Sequence, residues 1–163
     1  HTLQLKFYNQ KEIRYIIDKN ARLLEVEIEP EACALLSTRA RQTPRIANRL
    51  LKRTRDYAQV KSDGKISANM AEQALQMLSI DHLGLDETDR KLLSSIIEKF
   101  SGGPVGLNTL AAAISEEINT IETIYEPFLL QLGFLERTPR GRKATKPAYA
   151  HLGYETPKED GLL

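Results

Sequence analysis

The sequence predicts a mainly α-helical chain of two small domains, the second closing on a short β-hairpin. Three observations predict it. Apolar residues recur at helical spacing in successive segments along the 163 residues. Cap and turn residues separate those segments at short intervals. Near the C-terminal end, Pro139-Arg140-Gly141-Arg142 divides two short segments that can pair as strands. The length allows one ordinary domain or two small ones.

Residues 2–8 nearly alternate apolar and polar, which suits a short strand or an extended entry segment. Asn9 followed by Glu12 is a capping-box pattern with Asn in place of Ser or Thr. Ile13, Ile16, Ile17, Ala21, Leu23 and Leu24 then recur at helical spacing, giving a first helix over about 10–24. Pro30 suits the first turn of a second helix that runs to about Arg39. Thr43-Pro44 starts a third, with Ile46, Leu50, Leu51, Tyr57 and Ala58 as its apolar stripe. Arg45, Arg49, Lys52 and Arg53 lie elsewhere on that helix. Ser62-Asp63-Gly64-Lys65 is a turn, and Ser67 begins a fourth helix with Met70, Ala71, Ala74, Leu75 and Leu78 inward. A small helical domain over residues 1–80 results.

An acidic connection over 80–86 leads into a helix from Glu87 to Phe100. The two glycines and the proline of SGGPVGL end it, and Val105 to Leu107 read as a minimal strand. Asn108 is the expected cap of a short helix. A further helix spans about Glu117 to Leu132, with Pro127 starting a new turn or a kink, and Gly133 stops it. Residues 134–138 and 143–145 form the two hairpin strands. Helix, short strand, helix, helix and hairpin is the order of a winged helix, here over 81–153. Residues 154–163 read as a disordered tail.

Composition bounds the function. Apolar residues make up 41% and charged residues 28%, ordinary values that exclude a disordered or low-complexity chain. No apolar run is long enough for a membrane span, and HTLQLKFYNQ lacks the features of a secretion signal. That opening, on His1 within what reads as mid-domain sequence, suggests a piece of a longer protein. The single cysteine, Cys33, excludes an intrachain disulfide and fits a reducing cytoplasm. It sits in a helical apolar pattern and reads as a buried structural thiol. The three histidines stand at no metal-ligand spacing, so no metal site is expected.

A net charge of +1 conceals strong segregation. Ser37 to Lys65 holds nine basic and two acidic residues. Ile80 to Pro127 holds three basic and nine acidic ones, and Arg137 to Lys146 five basic and none acidic. Two basic patches can therefore meet phosphates. In the hairpin, Arg137, Arg140 and Arg142 suit a nucleic-acid backbone, because the planar guanidinium holds phosphate oxygens in pairs. Gly141 permits a close backbone approach and Pro139 stiffens the tip. Such contacts position a protein without reading bases. The preceding helix, EEINTIETIYEPFLLQLG, is acidic and apolar, and it reads as a face for a protein partner rather than for DNA. In the first patch, Arg45 stands on a helix N-terminus that favours an anion.

At RQTPRIANRLLKRTRDYAQVKSDGKIS the sequence closely resembles the RuvB family of bacterial Holliday junction branch migration helicases. GLDETDRKLLSSIIEKFSGGPVGLNTLAAAISEE, TIETIYEPFLLQLGFLERTPRGRKAT and AYAHLG extend the resemblance over residues 3–152. It implies the C-terminal half of such a protein: a small helical lid of the AAA+ type, then a winged helix. The ATP-binding core that precedes them in the family is not matched, and no G-x-x-x-x-G-K-S/T phosphate loop occurs here.

The resemblance assigns roles residue by residue. Arg45 matches the family's sensor-two arginine, which approaches the nucleotide phosphates from the lid. Tyr8 matches the tyrosine that lines the nucleotide pocket. Arg137 and Arg142 match the wing arginines, with Arg140 in the same turn. Some members carry a basic residue before the T-I-E of the third winged-helix helix. Here Ile118-Asn119-Thr120 stands there, so no DNA contact is expected from it. The implied activity is ATP-dependent branch migration by a homo-hexameric ring, with ATP as cofactor and Mg²⁺ held by the core. Implied partners are duplex DNA at Holliday junctions, RuvA through the core, and RuvC. Two other readings are a free-standing winged-helix DNA-binding regulator, which predicts a dimer and a preferred DNA sequence, and a protein-interaction adaptor, which predicts no salt-sensitive DNA binding.

Overall fold

The computed structural model describes residues 7–158, which fall into two compact units that divide between Asp86 and Glu87. The strand considered for residues 2–8 lies mostly outside the described residues. Within them, Phe7 to Asn9 are irregular, and the Tyr8 N–H donates to the Gln42 carbonyl at 2.9 Å.

Among its described residues the first unit packs four helices: α1 (Gln10–Leu23), α2 (Pro30–Arg39), α3 (Pro44–Lys61) and α4 (Ala68–Met77). Their starts are set by local chemistry. Asn9 and Glu12 exchange side-chain and backbone bonds in a full capping box. The Thr43 and Ser67 hydroxyls accept from Ile46 N–H and Met70 N–H. Pro30 and Pro44 occupy first turns, where no N–H is needed. Inward faces then share one core built around Ile13, Ile17, Leu36, Leu51 and Leu75. Each such side chain contributes about 2 kcal/mol on burial. A parallel bridge between Ile28 and Ile66 ties the 24–29 connection to the 62–67 turn, a pairing that neither segment's sequence announces.

Cys33 is buried and donates its thiol to the Arg14 carbonyl at 3.3 Å. Burial pushes the thiol up from its ordinary range, with the Asp18 carboxylate acting in the same direction. The neutral thiol is the form the fold prefers.

The second unit holds α5 (Glu87–Lys99), α6 (Leu107–Ile114), α7 (Ile118–Thr120), a π-helical turn (Ile121–Tyr125), α8 (Glu126–Gln131) and α9 (Lys146–Leu152). Its hairpin pairs β1 (Leu135–Thr138) with β2 (Gly141–Ala144). The expected minimal strand reduces to one antiparallel bridge, Val105 with Arg142. Asn108 is not the cap of α6. The chain turns inward earlier, Gly106 is the extended cap residue, and Asn108 is the second helical residue.

Three further departures have physical causes. The helix expected over 117–132 is interrupted: Glu126 N–H reaches back five residues to Ile121 O, and Pro127, next in line, has no N–H to donate. Residues 146–152 form α9, to which the sequence reading gave no element. Tyr154, placed in the expected tail, is held by α9 and α5. Its N–H donates to Tyr149 O at 2.9 Å, its ring packs edge-on against Tyr149, and its hydroxyl bonds Glu98. Residues 155–158 are irregular and exposed, and the expected tail from residue 159 on lies outside the described residues. Among the described residues no helix is long and apolar enough to cross a membrane.

Two predictions follow from the packing. Because the folded chain prefers the protonated Cys33, the stability tied to that preference is full below the unfolded thiol value near pH ~8.5 and declines as pH rises toward the folded value. Urea unfolding of the wild type should therefore weaken above about pH 8.5, and less so in Cys33→Ala. In the second unit, Gly141 has φ +132°, and a Cβ there would lie 2.3 Å from the Val105 carbonyl oxygen. Gly141→Ala should cost well over about 1 kcal/mol in urea unfolding. An unchanged midpoint would contradict the tight seat assigned to Gly141.

Candidate nucleic-acid interface and nucleotide-facing residues

The hairpin register places Arg137 directly opposite Arg142, and Glu136 opposite Lys143. The second pair is complementary, but two arginines facing each other across a ladder repel. Glu126 resolves the conflict. Its carboxylate is fully buried and sits where α8 begins. Arg142 holds it bidentately, with Nη2 at 3.0 Å from Oε1 and Nε at 3.3 Å from Oε2. Arg137 Nε donates to the same Oε1. Desolvating a carboxylate is expensive, and two guanidiniums with four donor contacts offset that cost.

The three wing arginines are therefore unequal. Arg142 is 19% exposed at its side chain and Arg137 56%. Both are engaged by Glu126, and each still carries further N–H donors. Arg140 is exposed at the tip and has no side-chain hydrogen bond or ion pair among the described residues. Its backbone N–H donates to the Thr138 hydroxyl at 3.2 Å, and that hydroxyl in turn donates to Gly141 O at 2.9 Å, which closes the turn. Gly141 itself is buried, and the backbone it approaches closely is the chain's own, at Val105 and Gly106. The sequence reading expected it to serve a ligand.

Glu126 was also missed as a functional residue. The acidic helix was read as facing a protein partner. Its Glu117 and Glu122 are exposed, but Glu126 points into the unit. The available signal was its place beside Pro127, where the helix is remade, upstream of a hairpin with two facing arginines.

In the first unit, Arg45 is exposed on the first turn of α3, with no side-chain bond or ion pair among the described residues. The Tyr8 N–H bond to Gln42 ties Tyr8 to the turn that leads into α3. Tyr8 packs half-buried against the core and lines an open groove of about 410 Å³ with Glu12, Tyr15 and Ile16. Arg45 is not among the residues that line that groove. No cluster of three or more metal-ligating side chains occurs among the described residues.

The Glu126 arrangement generates a prediction. Glu126→Ala leaves two arginines facing each other with a buried cavity between them, and should cost about 3 kcal/mol in urea unfolding. Arg140→Ala should leave the unfolding midpoint unchanged. Equal effects of the two substitutions would contradict the clamp.

A model of the RuvB AAA lid domain matches residues 8–81, and a model of the RuvB C-terminal winged-helix domain matches residues 82–153. The chain is 59% identical over 155 residues to the Holliday junction branch migration complex subunit RuvB of Chloroflexus aggregans, covering 95% of this chain and 44% of that protein. It is 55% identical over 161 residues to the same-named protein of Koribacter versatilis, covering 99% of this chain and 45% of that one. The solved Thermotoga maritima RuvB Holliday junction branch migration motor matches with a TM-score of 0.88 at 52% identity, over 95% of this chain and 52% of that chain. The chain thus spans a little under half the length of these curated relatives. With a lid model on one unit, a winged-helix model adjoining it, and long identity to both, the chain belongs to the RuvB family and carries its AAA lid and winged-helix domains.

Proposed function

We propose that this chain is the lid-and-wing part of an ATP-dependent branch-migration motor, in which the wing grips the duplex backbone and the lid senses nucleotide. The observation that carries the reading is the unequal wing: Arg140 uncommitted at the tip, Arg137 and Arg142 fixed on buried Glu126. Fixed guanidiniums beside one free cation suit a backbone contact that is rigid yet indifferent to sequence, as a motor passing any DNA requires.

In this reading Arg45 reaches toward the nucleotide phosphates and Tyr8 packs against the base. ATP supplies the free energy of movement when bound and hydrolysed. The chain's own residues bind, orient and report; the phosphate loop and the Mg²⁺ ligands fall to the core that the family resemblance implies. The family also supports a homo-hexameric ring on Holliday junction DNA in the bacterial cytoplasm, with RuvA joined through the core and RuvC in the junction-processing complex.

The test is binding of the chain to labelled random-sequence duplex across a salt series. Binding should be weak, independent of sequence and steeply salt-sensitive, and Arg140→Ala should lower the salt slope by about one. The chain alone should turn over no ATP. One preferred DNA sequence, or no binding at low salt, would contradict the backbone grip.

A further inference from the structure

We infer that the lid carries a second anion site, separate from Arg45, in which Arg39, Arg41, Arg49 and Arg53 take a phosphate group. These four arginines line one cleft of about 70 Å³. One ordered water needs at least about 10–15 Å³ by the same kind of measure, so the cleft admits a group of several heavy atoms. Against four guanidiniums it holds one carboxylate, Asp86, over an apolar floor that includes Leu50. Arg45 is not among its lining residues.

Folding alone does not account for Arg39, Arg49 and Arg53. Arg39 Nη1 donates to the Asp81 carbonyl at 2.8 Å, yet its Nε is buried with no hydrogen-bond partner. A buried charged donor left unsatisfied is costly and calls for an acceptor. Arg41 is 6% exposed at its side chain and pairs with Asp86 at 3.9 Å. Arg49 and Arg53 stand one turn apart on α3, exposed, with no side-chain bond or ion pair among the described residues. Like charges at that spacing repel. Several guanidiniums lining one cleft suit a tetrahedral oxyanion, whose oxygens can engage more than one of them at once.

The site also touches the segment that ends the first unit. Arg39 and Arg41 hold residues 81–86 through the Asp81 carbonyl and Asp86. Gly84 lies so close that a Cβ there would sit 2.9 Å from the Arg39 carbonyl oxygen. A phosphate in the cleft competes with Asp86 for Arg41, so its occupancy changes what fastens this segment. The inference does not depend on the motor reading.

The experiment titrates the chain with inorganic phosphate at constant ionic strength and follows the arginine Nε–H resonances by NMR. The Arg39 signal should shift saturably. Arg49→Ala/Arg53→Ala, two exposed changes that leave the core intact, should weaken that binding about tenfold or more. Arg45→Ala should leave it unaltered. A second arm adds short duplex DNA to the Arg140→Ala chain. A shift of Arg39 there identifies backbone phosphodiester as the source; a response to inorganic phosphate alone identifies a free phosphate or monoester. An unsaturable shift with phosphate and no response to duplex, or equal affinity in Arg49→Ala/Arg53→Ala, overturns the site.

Discussion

Among the described residues of the second unit two carboxylates are fully buried, Asp89 and Glu126, and Glu126 is the one that fastens the wing. Glu126 begins α8, immediately after the π turn and immediately before Pro127. It is fully buried, so it must be paired, and both of its partners come from the hairpin. The same contact cancels the repulsion between two arginines set opposite each other by the strand register. Helix and wing are thereby fastened through charge-assisted bonds with defined directions, which a purely apolar contact would not supply.

The wing is also seated from its other edge. Arg142 exchanges both backbone hydrogen bonds with Val105, at 3.0 and 2.8 Å, and Gly141 lies against the same backbone. Arg142 thus serves the ladder with its main chain and Glu126 with its side chain. Its position is thereby fixed by the fold through main chain and side chain together. Arg140, in the turn between the strands, has no side-chain hydrogen bond or ion pair among the described residues.

Much of this was legible in the sequence. Caps at Asn9, Thr43 and Ser67 and prolines at 30 and 44 mark helix starts by local chemistry, and the structure places the helices there. The hairpin was legible from Pro139-Arg140-Gly141-Arg142. What escaped depends on contacts between distant segments. The Ile28–Ile66 bridge joins two stretches that each read as a connection. Gly106 in place of Asn108 as the cap of α6 reflects the Val105 bridge just before it. The direction of Glu126 follows from a helical turn widened at Pro127, which a regular 3.6-residue period does not anticipate. Tyr154 is held by nearby Tyr149 and by Glu98 on α5, which is far from it in sequence. Site residues show the same division: residue types pointed to Arg137, Arg140 and Arg142 alike, and only the fold distinguishes the two that are clamped from the one that is free.

The central claim is that the wing meets the DNA backbone through a free Arg140 beside two arginines held by Glu126. Its most direct test is arginine side-chain NMR of the chain titrated with two duplexes of unrelated sequence. The account predicts the same pattern for both: the Arg140 Nε–H signal moves most, Arg142 stays near its Glu126-bonded position, and added salt reverses the change. A pattern that differs between the duplexes, or one that leaves Arg140 still while signals from α7 and α8 move, would contradict it.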